Sequence, residues 1–272
     1  SACLVGSEMC IRDRIAFTNG ATGETLSYSQ LFSKAGKRAR EIRASDSNRF
    51  VKLDVSSLST PLSLFASGWA GIPYVPLNYR LTDEEIMRLI ERVKPAILVT
   101  SDDRINSFQN LEGLEVLDSS DLLSRGGEDE SLENDWDMDP EEIAVLLFTS
   151  GTTGEPKAAM LRHKHLVSDS LGSVEFASAD EKEASLVCVP PYHIAGIAAI
   201  LSSVYSGRHV VQLPNFSAEE WIRLVRKHQV TNAMVVPTML KRIVECLEET
   251  GATYAEMPHL ASLAFCGCMM RL

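Results

Sequence analysis

Apolar positions along the chain repeat at two spacings, and the spacing changes several times. Tyr28, Leu31, Phe32, Ala35, Ala39 and Ile42 recur every three or four residues behind Ser27-x-x-Gln30, a capping-box signature. That pattern predicts a helix with one buried face. Thr82-x-x-Glu85 opens a second such segment, with Ile86, Leu89, Ile90 and Val93 inward. Pro95 ends it, and residues 96–100 follow as an apolar strand. Ser217-x-x-Glu220 opens a third, with Trp221, Leu224, Val225 and His228 on one face. A strand over 233–236, a helix over 238–249 and a stop at Gly251 come next. Unbroken apolar runs at 143–148 and 186–189, and the mostly apolar stretch 260–267, read as buried strands. Apolar strands separated by amphipathic helices predict an α/β fold, with mainly parallel sheets flanked by helices on both faces. No internal repeat is visible.

Bulk properties narrow the function classes. The chain has 272 residues and a formal net charge of −11, which argues against a nucleic-acid-binding surface built on clustered Lys and Arg. Residues 128–142 hold nine carboxylates and no base. A solvated linker and a calcium site are both readable there, although the stretch lacks the glycine and regular ligand spacing of an EF-hand loop. The longest apolar candidate for a membrane span, 194–204, is short and interrupted by serines. Six cysteines (3, 10, 188, 246, 266, 268) show no paired metal spacing, and a reduced cytoplasmic setting fits them. Residues 1–14 have no periodicity and no initiator methionine. They resemble a translated sequencing-adapter read and are set aside as a non-native-looking leader.

The chemistry concentrates at 148–158, Phe-Thr-Ser-Gly-Thr-Thr-Gly-Glu-Pro-Lys-Ala, directly after the apolar run at 143–148. Gly151 and Gly154 let backbone N–H groups turn toward an anion. Thr149, Ser150, Thr152 and Thr153 add hydroxyl donors, and Lys157 adds a full positive charge. A Walker loop is excluded, because the lysine follows Pro156 and Ala158 stands where the magnesium-binding hydroxyl belongs. An ordinary polar turn would explain Gly-Thr-Thr-Gly but not the added Pro-Lys. Elsewhere, His193 follows Pro-Pro-Tyr at the carboxyl end of the 186–189 strand, where open α/β sheets place ligands. On residue chemistry alone it reads equally as a functional and as a packed histidine. His163 and His165 read as a solvated helix start or a metal pair, and His228 as packed or partly exposed.

The string at 148–158 resembles the phosphate loop of the adenylate-forming superfamily, which includes acyl-CoA synthetases, peptide-synthetase adenylation domains and beetle luciferases. Two flanking segments are similar to that family in the same order. They are the helix-to-strand passage 68–86, containing Val-Pro-Leu-Asn, and 189–196, Val-Pro-Pro-Tyr-His-Ile-Ala-Gly. The resemblance covers roughly residues 15–267. It implies ATP-dependent activation of a carboxylic acid to an acyl-adenylate, then thioester formation with coenzyme A. Ser150, Gly151, Thr152, Thr153, Gly154 and Lys157 would grip the ATP phosphates, and Lys157 would neutralise the departing pyrophosphate. Thr149 would meet magnesium, and His193 would border the acyl-carboxylate pocket.

Val75-Pro-Leu-Asn and Ser150-Gly-Thr-Thr-Gly154 look more like acyl-CoA synthetases than carrier-protein-loading domains. A non-catalytic nucleotide-binding fragment is the reading of a different class. By the same resemblance, the adenine platform, the ribose aspartate, the hinge and the mobile domain with its lysine would follow residue 272. The Cys-Met-Met-Arg-Leu end departs from the family's continuation, and the chain is expected to be truncated at both ends. Residues 15–140 are expected to form one α/β subdomain ending in the acidic linker, and 141–272 a second carrying the phosphate loop.

Overall fold

The hydrophobic rhythms become alternating strands and helices in the computed structural model, which describes residues 11–124, 139–149, 156–251, 256–265 and 268–271. In chain order, β1 (Ile15–Asn19) and β2 (Thr25–Ser27) lead into α1 (Tyr28–Arg43), β3 (Phe50–Leu53) and α2 (Ser59–Ala70). Next are β4 (Tyr74–Pro76), α3 (Asp83–Val93), β5 (Ala96–Thr100), α4 (Asp102–Ile105), β6 (Leu114–Asp118) and α5 (Ser119–Ser124). After the acidic stretch come β7 (Ile143–Thr149), β8 (Lys157–Arg162), α6 (His163–Ser173) and β9 (Ala184–Val187). The chain continues through α7 (Ile194–Ser206), β10 (His209–Gln212), α8 (Ala218–Lys227), β11 (Asn232–Val235) and α9 (Pro237–Thr250) to β12 (Ser262–Phe265) and β13 (Cys268–Arg271).

These elements divide into two compact units. One comprises residues 29–55 and 59–169 and carries a sheet in the order β6-β5-β3-β4-β7-β8. All neighbours are parallel except β8, which pairs antiparallel with β7 at the edge. Parallel strands are covered on both faces, so they read as unbroken apolar runs, and every residue of β3 and β5 is buried. Ile86, Leu89, Ile90 and Val93 of α3 pack with Val51, Leu53, Val75, Leu98 and Leu146 in one core cluster. Thr82 caps α3 by the reciprocal bonds its sequence predicts: its hydroxyl accepts from the Glu85 N–H, and the Glu85 carboxylate accepts from the Thr82 N–H.

One member of this core is a charge. Lys52, in the middle of β3, is 1% exposed. Its Nζ lies 3.2 Å from Asp54 Oδ2 and donates to Ser119 Oγ at 2.8 Å. The Ser119 hydroxyl donates in turn to Asp54 Oδ2 at 2.9 Å. Burial pushes the Lys52 ammonium below its usual pKa, while the Asp54 and Asp118 carboxylates oppose that shift.

The other unit comprises residues 1–28, 56–58 and 170–272, with the sheet order β13-β12-β11-β9-β10-β1-β2. Its centre is parallel, and β2 and β13 close the two edges antiparallel. Trp221, Leu224 and Val225 of α8 pack against Leu186, Val211, Val235 and Ile243. Ser217 caps α8 by accepting from the Glu220 N–H at 3.1 Å. Gly251 ends α9 at φ +65°, a left-handed geometry that suits glycine.

The mainly parallel α/β architecture is the one expected, but several details differ. The boundary expected near 140 falls elsewhere, because β7 and β8 hydrogen-bond into the sheet of β3–β6, whereas β1 and β2 join the later strands. Phe32 is 43% exposed and leans on Trp69 instead of lying with Leu31 in the core. His228 sits at the C-cap of α8, half-buried, rather than on its apolar face. The strand expected at 260–267 is β12, and β13 follows it antiparallel. Most of the acidic stretch lies outside the described residues; at its end Glu141 pairs with Lys164 at 2.7 Å.

Candidate functional site

The strand β7, which the glycine-hydroxyl segment follows in sequence, ends with Thr149 at the carboxyl end of the six-stranded sheet. Its register with β8 places Thr149 directly opposite Lys157 and Phe148 opposite Ala158, which makes a hairpin of the two strands. Ser150, Gly151, Thr152, Thr153 and Gly154 lie outside the described residues. Both bracketing residues are exposed: Lys157 opens β8, and Thr149 closes β7 with its Oγ1 donating to the Lys157 carbonyl at 3.4 Å. Lys157 is thus neither buried in the core nor held inside a helix.

A residue that sequence reasoning missed ties this hairpin to its sheet. Arg92, in the last turn of α3, donates from Nη1 to the Pro156 carbonyl at 2.8 Å. Its guanidinium carbon stands 5.1 Å from the centre of the Phe148 ring, inside cation–π range. Arg92 therefore touches Phe148, the residue before Thr149 on β7, and Pro156, the residue just before Lys157 opens β8. No spacing in the sequence could have shown this, since the contact joins residues 64 positions apart. The one available hint was an arginine on the polar side of a helix that ends where a strand begins.

His193 belongs to the other unit and occupies a related position there. The strand β9 ends at Val187, and residues 188–192 carry the chain to His193, the N-cap of α7. The turn is held by the His193 N–H donating to Pro190 O at 3.1 Å and by the Gly196 N–H donating to His193 O at 3.0 Å. A Cβ at Gly196 would stand 3.1 Å from the Pro190 carbonyl, so the close return of the chain favours glycine there. The imidazole is exposed and meets the Tyr192 ring at 4.8 Å between centroids. The structure thus brings Thr149 and Lys157 together and places His193 at the carboxyl edge of the seven-stranded sheet. Of the other histidines, His163 begins α6 with its pKa lowered by burial, and His165 Nδ1 accepts from the Arg162 N–H at 3.2 Å. Among the described residues, no group of three His, Cys, Asp or Glu side chains could hold a metal, and no helix is long and apolar enough to cross a membrane.

The profile of the AMP-binding enzyme family matches residues 10–271. The chain belongs to that family. A 2-succinylbenzoate–CoA ligase of Bacillus licheniformis is 29% identical over 238 residues, covering 85% of this chain and 48% of the ligase. A fatty acid–acyl-carrier-protein ligase of Streptomyces coeruleorubidus is 26% identical over 234 residues, covering 82% of this chain and 45% of that enzyme. Among solved structures, ATP-bound MatB from Rhodopseudomonas palustris superposes with a TM-score of 0.79 at 24% identity, over 93% of this chain and 52% of MatB. The chain spans about half the length of the curated relatives it matches. For this member of the AMP-binding family, the fold is that of the adenylate-forming enzymes.

Proposed function

We propose that the protein containing this chain activates a carboxylic acid with ATP and transfers the acyl group to coenzyme A. A carboxylate oxygen attacks the α-phosphorus, and the bond to the pyrophosphate oxygen breaks, leaving acyl-adenylate. The thiol of coenzyme A then attacks the acyl carbon, its proton is lost, and AMP departs. The observation that supports this reading is the β7–β8 hairpin, which pairs Thr149 with Lys157, the residues that bracket Ser-Gly-Thr-Thr-Gly in the sequence of a chain of the AMP-binding family.

The residues' roles follow from charge. Two anionic reactants must be brought together, and pyrophosphate gains charge as it leaves, so aligned donors and a cation lower the barrier. In this reading Ser150, Gly151, Thr152, Thr153 and Gly154 supply the donors and Lys157 the cation. Thr149 presents an exposed hydroxyl oxygen at the strand end, which suits a magnesium ion that keeps most of its ligands from phosphates and water. Magnesium would offset part of the phosphate charge. His193, at the start of α7, orients or gates the acyl carboxylate. No general base is required, because a carboxylic acid is already ionised near neutral pH.

The acceptor divides the reading in two, since one relative is a carrier-protein ligase. A cytoplasmic setting, where ATP and coenzyme A are both present, belongs to the same proposal. ATP–pyrophosphate exchange by the full-length protein over a panel of carboxylic acids tests the first step. Release of AMP on adding coenzyme A, against a phosphopantetheinylated carrier protein, tests the second. Absence of exchange with every acid class would overturn the reading.

A further inference from the structure

We propose that Arg92 is a positioning residue for the β7–β8 hairpin, holding Phe148 and Pro156 so that Lys157 meets the triphosphate. The inference rests on the adenylating role proposed above and adds a residue to it from a different element. A contact that fixes the flanks of the hairpin before ATP arrives lowers the conformational cost of setting Lys157 against the ligand.

Arg92 makes two such contacts with residues that flank the loop. Its Nη1 donates to the carbonyl of Pro156 at 2.8 Å, and its guanidinium covers the Phe148 ring at 5.1 Å. Pro156 has no N–H, so its carbonyl is the one backbone group through which the loop's exit can be held. The Pro156–Lys157 peptide is planar, and fixing that carbonyl also fixes the direction of the Lys157 N–H on the opposite side. The Lys157 side chain then leaves the backbone from a set plane. On the other arm, Phe148 lies opposite Ala158 in the ladder, so the arginine meets β7 and the residue preceding β8, each one position from the Thr149–Lys157 pair. The staple comes from a well-anchored helix: α3 is capped at Thr82 and buries Ile86, Leu89, Ile90 and Val93. Arg92 itself is exposed and outside that buried face, which leaves it available for this contact without a role in the core.

Arginine is suited to the task in a way lysine is not. Its planar fork can donate in one direction while stacking on a ring in another. Loss of a charge-assisted bond and an exposed cation–π contact should weaken the ATP-bound state by about tenfold. The expected result for Arg92→Ala in the full-length protein is a roughly tenfold rise in KM for ATP during pyrophosphate exchange. KM for the carboxylic acid and the melting temperature should stay within twofold and about 2 °C of the parent. Arg92→Lys should recover only part of the loss, and Phe148→Leu should raise KM for ATP by about threefold. The two losses should be non-additive in the double variant. Direct calorimetric binding of ATP, run on the same variants, keeps the test independent of turnover. If the parent exchanges no pyrophosphate, the adenylation reading fails, while a weaker ATP Kd for Arg92→Ala still supports the staple. An unchanged Kd for ATP, equal rises in KM for ATP and for the acid, or full rescue by lysine would overturn it.

Discussion

Replacing Asp54 by alanine should destabilise the unit built on residues 29–55 and 59–169 far more than replacing its buried partner Lys52 by methionine. Lys52 Nζ and Asp54 Oδ2 stand 3.2 Å apart, and the lysine is 1% exposed while the aspartate side chain is 12% exposed. At an effective dielectric near 20, two unit charges at that distance attract by about 5 kcal/mol before desolvation is counted. Asp54→Ala removes the attraction and leaves an ammonium in the core bonded to Ser119 Oγ. Breaking one side of a buried pair typically costs about 3–5 kcal/mol. Here the lower end applies, because Asp118 also acts on Lys52. Lys52→Met instead removes the buried charge and fills much of its volume. The Asp54 carboxylate then keeps the Ser119 hydroxyl at 2.9 Å and the Val55 N–H at 2.7 Å, so the cost should be about 1 kcal/mol.

The double variant should be more stable than Asp54→Ala alone, with a coupling of about 2 kcal/mol. Urea unfolding followed by circular dichroism at pH 7, with comparable m-values, measures all three. Because burial lowers the Lys52 pKa, alkaline pH discharges the lysine in the folded state before it does so in the unfolded chain. The Asp54→Ala deficit should therefore shrink as pH rises through the folded pKa toward 10.5. A deficit below about 1 kcal/mol for Asp54→Ala, or an equal loss for Lys52→Met, would refute the argument.

Three further outcomes are expected. In the full-length protein, Lys157→Ala should lower kcat/KM for ATP about ten- to a hundredfold, the worth of one charge-assisted contact, and an unchanged value in initial-rate kinetics would remove Lys157 from the phosphate site. His209 is partly buried against Thr18 and near His228, and that burial lowers its pKa from 6.5 to about 4. The folded chain then binds fewer protons than the unfolded one below pH 6.5, so stability is whole above that pH and falls by about 2 kcal/mol between pH 7.5 and pH 5. Denaturation midpoints across that range should flatten in His209→Asn, and an identical slope would assign the acid sensitivity to other groups. The chain as residues 1–272, which spans about half of its relatives, should form no acyl-CoA by itself; robust acyl-adenylate formation by the isolated chain, read by mass spectrometry, would contradict this.

Local chemistry made part of this molecule readable in advance. Thr82-x-x-Glu85 and Ser217-x-x-Glu220 announced their helices because capping is settled within four residues. Unbroken apolar runs announced β5 and β7 because parallel strands are covered on both faces. The hairpin flanks Thr149 and Lys157 were legible for the same reason, as an apolar strand meeting glycines, hydroxyls and a cation. Lys52 was not, since nothing in Phe-Val-Lys-Leu reveals that Asp54 and Ser119 will converge on its ammonium. Arg92 was hidden likewise, because its partners are set by how α3 packs and not by its neighbours in sequence. The domain boundary misled for a related reason: composition marks a linker at 128–142, but hydrogen-bond pairing decides which sheet a strand joins.

The pairing of β1 with β10, Phe17 opposite Val210, carries a consequence for the timing of synthesis. A ribosome adding about 5–20 residues per second needs roughly 10–40 s to deliver the partner of Phe17. Throughout that interval β1 and β2 form at most a two-stranded ribbon, which is marginal in water. Ala16, Phe17 and Leu26, all buried in the finished sheet, wait uncovered. Meanwhile residues 29–169, apart from the short excursion at 56–58, hold everything the six-stranded sheet requires. The middle of the chain can therefore collapse first, as a nearly continuous piece, while its beginning is kept for a partner not yet made. A nascent chain stalled between residues 170 and 205 would expose this apolar hairpin to whatever binds unfolded protein.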